Sequence, residues 1–235
     1  MKIALFGYGK MGKIVEKIAK NRGHEIICKI DKNSSHYDLN KVEIAIDFST
    51  PKSALSNINK ALENCIPIIS GTTGWTEQYN EAVKLCNEKN GAFLYASNFS
   101  LGVNIFFEIN RKLAKTMNNY KEYKIKMKEI HHIEKIDVPS GTAITLAGSI
   151  IEETNYQKWS PGNDFKENEI SIESQRLSDN TGTHEVIYKS KIDEIKIKHV
   201  ANNRDGFGLG AIIAAEWLIG KKGVFSMKDV LNIND

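Results

Sequence analysis

Short apolar runs alternate with helical repeats along the first hundred residues of the chain. Between the runs, apolar residues recur three or four positions apart, as at Ile14, Val15 and Ile18, which is typical of helices packed on a core. One helix has an explicit start, because Thr50 can cap it and Pro51 suits its first turn. Strands that alternate with such helices predict an α/β fold with a parallel sheet. The predicted strands cover residues 2–6, 25–30, 42–48, 66–70 and 92–96.

The pattern changes after Ser97 to a long helix followed by alternation with period two. Ile125, Ile170 and Ile195 each lie in a stretch where apolar residues alternate with lysine or other polar residues, which indicates a sheet with one face in water. Helices are predicted over residues 101–117, after Pro139, over 209–219 and over 227–231, and loops over 154–168 and 178–183. The helix over 209–219 is apolar nearly all round and should be buried.

Composition is that of a folded protein with a core of its own. The chain has 235 residues, 41% hydrophobic and 26% charged, which excludes disordered and collagen-like classes. A formal net charge of +3 is too small to indicate a nucleic-acid partner. The three cysteines have no C-x-x-C spacing and favour a reducing compartment, so we expect a cytoplasmic protein. No export signal and no apolar run of about 18 residues is found, so we expect no membrane association.

A glycine-rich turn follows the first predicted strand and opens the first helix. In this context the spacing G-x-G-x-x-G predicts a dinucleotide site, because the glycines allow the backbone to approach a pyrophosphate at the helix N-terminus. Asp31, about 20 residues further on, is placed to hold ribose hydroxyls. Lys32 could receive a ribose phosphate, so both NADH and NADPH stay open. A glycine-rich turn in an unrelated α/β protein is the alternative. The residues concerned are Gly7, Tyr8, Gly9, Lys10, Met11 and Gly12.

Two further loops follow the fourth and fifth predicted strands, at the carboxyl edge where open α/β sheets bind ligands. Their amides, hydroxyls and one amide side chain could line the nicotinamide side of the cofactor, and ordinary turn chemistry is the alternative interpretation. The candidates are Gly71, Thr72 and Thr73 in one loop and Ala96, Ser97, Asn98 and Phe99 in the other.

The segment from Glu129 to Ala143 contains the densest chemistry of the chain. The alternation before it predicts that Glu129 and His131 lie on the buried face and that His132 follows the lysine face. Adjacent histidines that point apart do not bind one metal ion, so no metal site is expected. His131, with a carboxylate in register, suits a general acid, and a core histidine is the alternative.

A helix start with hydroxyls and free amides follows this segment at Ser140, Gly141 and Thr142. Such a terminus attracts anions, and with Lys135 a few residues upstream it could hold a carboxylate. A plain helix cap with a solvated lysine is the alternative interpretation.

Over nearly its whole length, the chain resembles the dihydrodipicolinate (4-hydroxy-tetrahydrodipicolinate) reductases of diaminopimelate and lysine biosynthesis. The resemblance rests on the segments GYGKMG, IDFSTP, GTTGW, ASNFSLGVN, HHIEKIDVPSGTA and FGLGAIIAAEWL. It implies a Rossmann-like, doubly wound parallel sheet from residues 1–100 and 206–235. Inserted between them, residues 101–205 would form an α+β domain with a mixed open sheet that binds substrate and makes a homotetramer.

The resemblance also implies roles for the candidate residues. Residues 7–12 would bind the pyrophosphate of NADH or NADPH, Asp31 the adenosine ribose, and the two loops the nicotinamide side. His131 would donate a proton and Lys135 would be a second catalytic cation. The carboxylates of a cyclic dicarboxylate substrate would bind His132, Ser140, Gly141 and Thr142. The alternatives are another two-domain NAD(P) dehydrogenase, a dinucleotide-binding redox sensor without turnover and, more distantly, a histidine zinc site.

Overall fold

Two units, each built around its own sheet, make up the chain in the computed structural model. The structure describes residues 1–31, 34 and 37–233. The first unit comprises Met1–Leu101 and the segment that begins at Asp205, and the second comprises Gly102–Arg204. The boundaries expected from the sequence differ from these by one residue at each junction.

The sheet of the first unit is parallel throughout, which confirms the predicted doubly wound class. Its strand order is β11-β5-β4-β3-β1-β2, so the order reverses between β1 and β3. β11 was not predicted, because three residues are too few to set up a periodic pattern. The strands are β1 (Lys2–Phe6), β2 (Glu25–Ile30), β3 (Ile44–Asp47), β4 (Ile68–Ser70), β5 (Ala92–Tyr95) and β11 (Gly223–Phe225).

Helices cover both faces of this sheet, and each face has its own apolar core. α1 and α6 pack on one face and α2 and α3 on the other. Thr50 and Ser53 form a capping box at the start of α2, as the sequence predicts for Thr50. α6 starts four residues before the predicted position and is buried along most of its length. The helices are α1 (Lys10–Asn21), α2 (Pro51–Glu63), α3 (Tyr79–Glu88), α6 (Asp205–Leu218) and α7 (Met227–Val230).

The second unit has a mixed five-stranded sheet, in agreement with the expected class. The strand order is β10-β9-β6-β8-β7, in which β6 pairs with β8 in parallel and with β9 in antiparallel orientation. Two helices pack on this sheet over an apolar cluster that includes Phe106, Met127 and Leu146. The elements are α4 (Leu101–Met117), β6 (Lys124–His131), α5 (Gly141–Glu153), β7 (Lys158–Pro161), β8 (Glu169–Arg176), β9 (Gly182–Lys189) and β10 (Glu194–Ala201).

Two of these strands correct the sequence-based prediction. β7 lies inside residues 154–168, which were predicted to be a loop; at four residues it is too short to alternate visibly. β9 was not predicted, and it begins within the expected loop 178–183. Every residue of β9 except Lys189 is buried, so the strand lacks the polar face on which period two depends. None of the described helices is both long and apolar enough to cross a membrane.

A fully buried carboxylate, Asp47, ties together the loops at the carboxyl edge of the first sheet. Four side chains donate hydrogen bonds to it over 2.6–2.9 Å. Burial raises the pKa of Asp47, and these hydrogen bonds oppose that shift. The donors are Ser49, Asn57, Ser70 and Thr72.

We expect Asp47→Ala to lower the free energy of unfolding by about 3 kcal/mol, because it leaves several buried donors without an acceptor. Urea denaturation measures the change. Glu81→Ala, which removes an exposed carboxylate on α3, is the control and should change stability by less than about 0.5 kcal/mol. Equal stabilities for the two variants would contradict this role of Asp47.

Candidate active site

The candidate dinucleotide residues of the first unit lie at the carboxyl edge of its sheet, where the strand order reverses between β1 and β3. Open parallel sheets bind ligands at such a switch point. Loops after β1, β3 and β4 meet there around Phe48. A Cβ atom at Gly7 would lie 2.1 Å from the Phe48 carbonyl oxygen, and one at Gly71 would lie 2.2 Å from the Phe48 ring. Both glycines are therefore required by close packing.

The glycine-rich turn fits a pyrophosphate. Gly7 has a φ of +89°, which side chains rarely adopt, and Gly9 is the N-cap of α1. No side chain caps α1, so its first amides are free to donate hydrogen bonds to an anion. A Cβ at Gly9 would meet no described atom within 4 Å. Open space in front of uncapped helix amides is the cradle that a dinucleotide phosphate needs.

Neighbouring residues of the same motif are held by an ionic cluster. The Tyr8 hydroxyl bonds to Glu16, and Lys29 Nζ lies 3.2 Å from that hydroxyl and 4.5 Å from the ring centre. The ammonium groups of Lys20 and Lys29 are the main reason that the pKa of Glu16 is lowered to about 2. Lys10 and Met11 begin α1, and Gly12 is buried within it. These contacts hold the Tyr8 side chain of the glycine-rich turn in place.

Asp31 directly follows β2, as expected for a ribose ligand. Its backbone N–H donates to Ser34 Oγ over 3.0 Å, which shapes the turn after the strand. Lys32, which leaves the choice of cofactor open, lies outside the described residues.

Each of the two candidate nicotinamide loops contains both buried and more exposed side chains. Thr72 is buried, and its hydroxyl donates to Asp47, while Thr73 is exposed. Phe99 is also buried, with its ring 5.8 Å from that of Phe48. Asn98 Oδ1 accepts from the Ser100 N–H. Thr72, Ala96 and Phe99 are buried and shape these loops. Side-chain contact with a cofactor would therefore come from Thr73, Ser97 or Asn98, and other contacts from backbone groups, as at Gly71.

A second buried carboxylate, Glu129, lies at the centre of the candidate site in the second unit. Ile125 and Met127 of β6 face the apolar core, and the same face continues with Glu129 and His131, both buried as the alternation predicts. Both oxygens of Glu129 accept the Ser140 N–H, each over 3.1 Å. The start of α5 is thus attached to the sheet through this carboxylate.

Two imidazoles and a guanidinium surround Glu129. Its Oε2 lies 3.5 Å from His131 Nδ1 and 3.7 Å from His184 Nε2, and its Oε1 lies 3.6 Å from Arg176. The histidine rings are 5.0 Å apart, edge to face. Gly182 leaves space for His131, because a Cβ there would lie 3.3 Å from Nε2 of its ring. His184 and Arg176 reach the site by register, opposite Glu129 and His131 respectively.

Burial sets the protonation of this cluster. It lowers the pKa of His131, and although Glu129 opposes the shift, Lys135 and Arg176 lower it further. Burial and the charge of His131 lower the pKa of His184 to about 3. Burial alone would raise the pKa of Glu129, but hydrogen bonds from Ser140 and the charge of His131 hold it below its ordinary value. At neutral pH the cluster is therefore a carboxylate beside two neutral imidazoles.

Lys135 lies in the loop between β6 and α5, with its ammonium group 2.8 Å from Asp137 Oδ1. Side chains of this loop, including His132 and Glu134, line a cavity of about 480 Å³ together with Asn180 and Arg204. His132 Nδ1 is buried without a hydrogen-bond partner among the described residues. Arg204 gives this cavity a cation that the sequence did not predict, and Glu134 and Asp179 contribute carboxylates to the same lining.

The start of α5 leaves main-chain amides without an acceptor inside the helix. Ser140 is the N-cap, and its Oγ accepts the Ala143 N–H over 3.2 Å and lies 3.1 Å from His184 Nε2. Gly141 and Thr142 occupy the first turn, where amides have no acceptor within the helix. A Cβ at Gly141 would meet no described atom within 4 Å. The amides therefore face space that an anion can enter.

Glu129, His131 and His184 also have ligand atoms within 4.8 Å of one another, close enough to hold a metal ion. Two features oppose a cation there. The Ser140 amide already binds both carboxylate oxygens, and the Arg176 guanidinium lies against Oε1. The Arg176 guanidinium would repel a further cation bound to the same carboxylate. That no metal ion binds here stays a prediction.

His184, Arg176, Arg204 and Gly182 are candidate site residues that sequence reasoning missed. They belong to β8, to β9 or to the end of the second unit, and nothing in their local pattern links them to residues 129–142. Only the strand register brings His184 and Arg176 to Glu129. A correct prediction of β9 and of its pairing with β6 would have placed His184 opposite Glu129.

Family models match both halves of the chain. Residues 1–99 match the N-terminal model of dihydrodipicolinate reductase, and residues 102–231 match its C-terminal model. Together these matches cover almost the whole chain and confirm the resemblance noted in the sequence.

Individual relatives agree with the family models. The chain is 50% identical to a 4-hydroxy-tetrahydrodipicolinate reductase of Christiangramia forsetii, over 99% of this chain and 98% of that protein. It is 34% identical to a protein of the same name from Caldanaerobacter subterraneus, over 95% and 94% of the two chains. A dipicolinate-bound dihydrodipicolinate reductase from Paenisporosarcina has the same fold, with a TM-score of 0.78 at 22% identity and coverage of 100% and 99%. The chain therefore belongs to the dihydrodipicolinate reductase family.

Proposed function

We propose that this chain reduces 4-hydroxy-tetrahydrodipicolinate to tetrahydrodipicolinate with NADH or NADPH, as a step of diaminopimelate and lysine biosynthesis. Family membership over almost the whole chain supports the reaction. The observation that carries the proposal is the buried cluster of Glu129, His131 and His184 beside the open first turn of α5. This cluster would combine a proton carrier with an anion site, whereas a sensor without turnover would need only the dinucleotide fold.

The first unit would bind the cofactor, which supplies the hydride when bound. The uncapped start of α1 and the open space at Gly9 would receive the pyrophosphate. Asp31 would accept hydrogen bonds from the adenosine ribose. The loops at residues 71–73 and 96–99 would offer amides and carbonyls to the nicotinamide side.

The second unit would bind the dicarboxylate. The amides of Gly141 and Thr142, with the Ser140 and Thr142 hydroxyls nearby, would hold one carboxylate. Lys135 and His132 would offset the remaining negative charge. These groups would favour a dianion over a neutral ligand, because an ammonium group and free helix amides attract negative charge.

Neutral His131 explains how acid catalysis would be confined to the complex. Its pKa is lowered in the free protein, so little of the imidazolium form exists there at neutral pH. A bound dianion would stabilise the imidazolium and raise that pKa, which loads the proton donor only when substrate is present. The Glu129 carboxylate would balance the new charge.

Loss of water and addition of a hydride and a proton account for every atom of the overall reaction. The 4-hydroxyl group leaves as water with a ring proton, which gives an unsaturated ring. Addition of hydride to one unsaturated ring carbon leaves carbanion character on the adjacent part of the ring. A proton from His131 would neutralise this negative charge. Lys135 and the α5 amides would stabilise the charge that develops in between.

We also propose a homotetramer acting in the cytoplasm, with no nucleic-acid or membrane partner. The edge strand β10 leaves Ile195 and Val200 37% and 48% exposed, which suits a further contact between copies. The family resemblance supports the tetramer.

The direct test is nicotinamide oxidation, followed by absorbance, with substrate made freshly from pyruvate and aspartate semialdehyde. We expect turnover with at least one of NADH and NADPH. Cofactor binding without turnover would select the sensor instead, and turnover only with other amino acids or sugars would select a different dehydrogenase.

We expect His131→Ala to lower kcat by about 10²–10⁴-fold with little change in cofactor affinity, as for the loss of a general acid. Lys135→Ala should lower kcat and raise KM for the dicarboxylate by about tenfold, because it removes a charged contact. Steady-state kinetics measure both. Lys115→Ala, which removes an exposed lysine of α4, is the control. Wild-type kinetics in both site variants would contradict the assignment.

We expect Gly9→Val to weaken NADH and NADPH binding by at least about tenfold, because its side chain fills the cradle in front of α1. No described atom lies within 4 Å of the new Cβ position, so the fold should be preserved. Fluorescence titration measures the affinity. Gly206→Ala, in α6 of the same unit, is the control, since its Cβ would meet only Ser100 Oγ at 3.8 Å. Equal affinities in both variants would count against the pyrophosphate site.

A further inference from the structure

The loop that carries Lys135 has little apolar anchorage. Between the end of β6 and the start of α5, Ile133, Ile136 and Val138 are 70%, 94% and 58% exposed. Burial of such side chains is what normally fixes a loop of this length. The position of Lys135 must therefore depend on polar contacts to the loop backbone.

One side chain, Arg176, supplies those contacts. It is the last residue of β8, opposite His131 in the strand register. Its Nε donates to the Lys135 carbonyl over 3.2 Å, and one terminal nitrogen donates to the Asp137 carbonyl over 2.7 Å. The other terminal nitrogen donates to the carbonyl of the neighbouring residue Gln175 and lies 3.6 Å from Glu129 Oε1. A single guanidinium thus spans the loop backbone and the buried carboxylate.

This geometry requires arginine. A planar guanidinium presents five donors in a fixed fork, so it can satisfy two loop carbonyls and a third acceptor at once. A lysine ammonium in the same place could reach one of these acceptors well, and the others would be left unmatched.

We propose that Arg176 is a positioning residue, which holds the backbone at Lys135 and Asp137 so that the Lys135 ammonium is presented to the substrate carboxylate. The inference deepens the proposed function and rests on it. Arg176 itself acts through the loop and need not touch substrate.

The experiment compares Arg176→Lys and Arg176→Ala with the wild type. Arg111→Lys is the matched control, because Arg111 is a partly buried arginine of the same unit that pairs with the carboxylates of Glu108 and Glu153. Three quantities are measured: steady-state kinetics, calorimetric affinity for dipicolinate as a dicarboxylate probe, and hydrogen exchange of the amides at residues 133–137.

We expect both Arg176 variants to raise KM and to weaken dipicolinate binding by about tenfold or more, and to speed exchange in the loop. NADH and NADPH affinity should stay unchanged, as should all readouts in Arg111→Lys. Millimolar guanidinium should partly restore dipicolinate binding in Arg176→Ala, which a merely structural defect would not allow.

Unchanged loop exchange and dipicolinate affinity in both variants would overturn the proposal. So would a general loss that extends to cofactor binding and is not rescued by guanidinium. Loop exchange and guanidinium rescue do not depend on turnover. A wild-type protein without reductase activity would therefore refute the proposed reaction and leave the placement of the loop by Arg176 separately testable.

Discussion

The arrangement of the second unit depends on the contacts that its elements make with the buried Glu129 carboxylate. A charge removed from water costs several kcal/mol unless nearby groups compensate it, on the order estimated for buried ions. Here the compensation comes from the Ser140 amide and from the Arg176 guanidinium, while two imidazoles lie 3.5 and 3.7 Å from the carboxylate. These partners belong to β6, β8, β9 and the start of α5, so the carboxylate fixes the elements that would bind substrate and carry the proton.

The first unit uses the same physical device for another purpose. Asp47 is also fully buried at the end of a strand, but its partners are hydroxyl groups and an amide, which do not titrate near neutral pH. Asp47 therefore organises loops, whereas Glu129 organises loops and also acts on the pKa values of the two imidazoles beside it, which it raises against the effect of burial. This difference in partners would suit Asp47 to a cofactor scaffold and Glu129 to a site for acid chemistry.

Periodic features of the molecule were predictable from the sequence. β1, β2 and α4 have the predicted bounds because their apolar spacing is unbroken, and alternation correctly placed Glu129 and His131 on the buried face. β9 escaped prediction because burial on both faces removes alternation. Because β9 was missed, His184 was missed as a site residue as well, since its approach to Glu129 depends on the pairing of β6 with β9.

The position of Lys135 was unpredictable for a different reason. Its motif identified it as a candidate cation, but its loop is held by a guanidinium 41 residues further along the chain. Such a contact depends on three-dimensional register and has no local pattern. The family resemblance implies roles for these residues, and the described contacts give physical reasons why these side chains would suit those roles.

Titration of the His131 imidazole by NMR, without and with dipicolinate, tests the central claim most directly. The resonance can be assigned by its loss in His131→Asn. We expect a pKa below the ordinary 6.5 in the free protein and a clear rise when the dianion binds. An ordinary or raised pKa in the free protein, or bound dipicolinate with no rise, would contradict a proton donor loaded by its substrate.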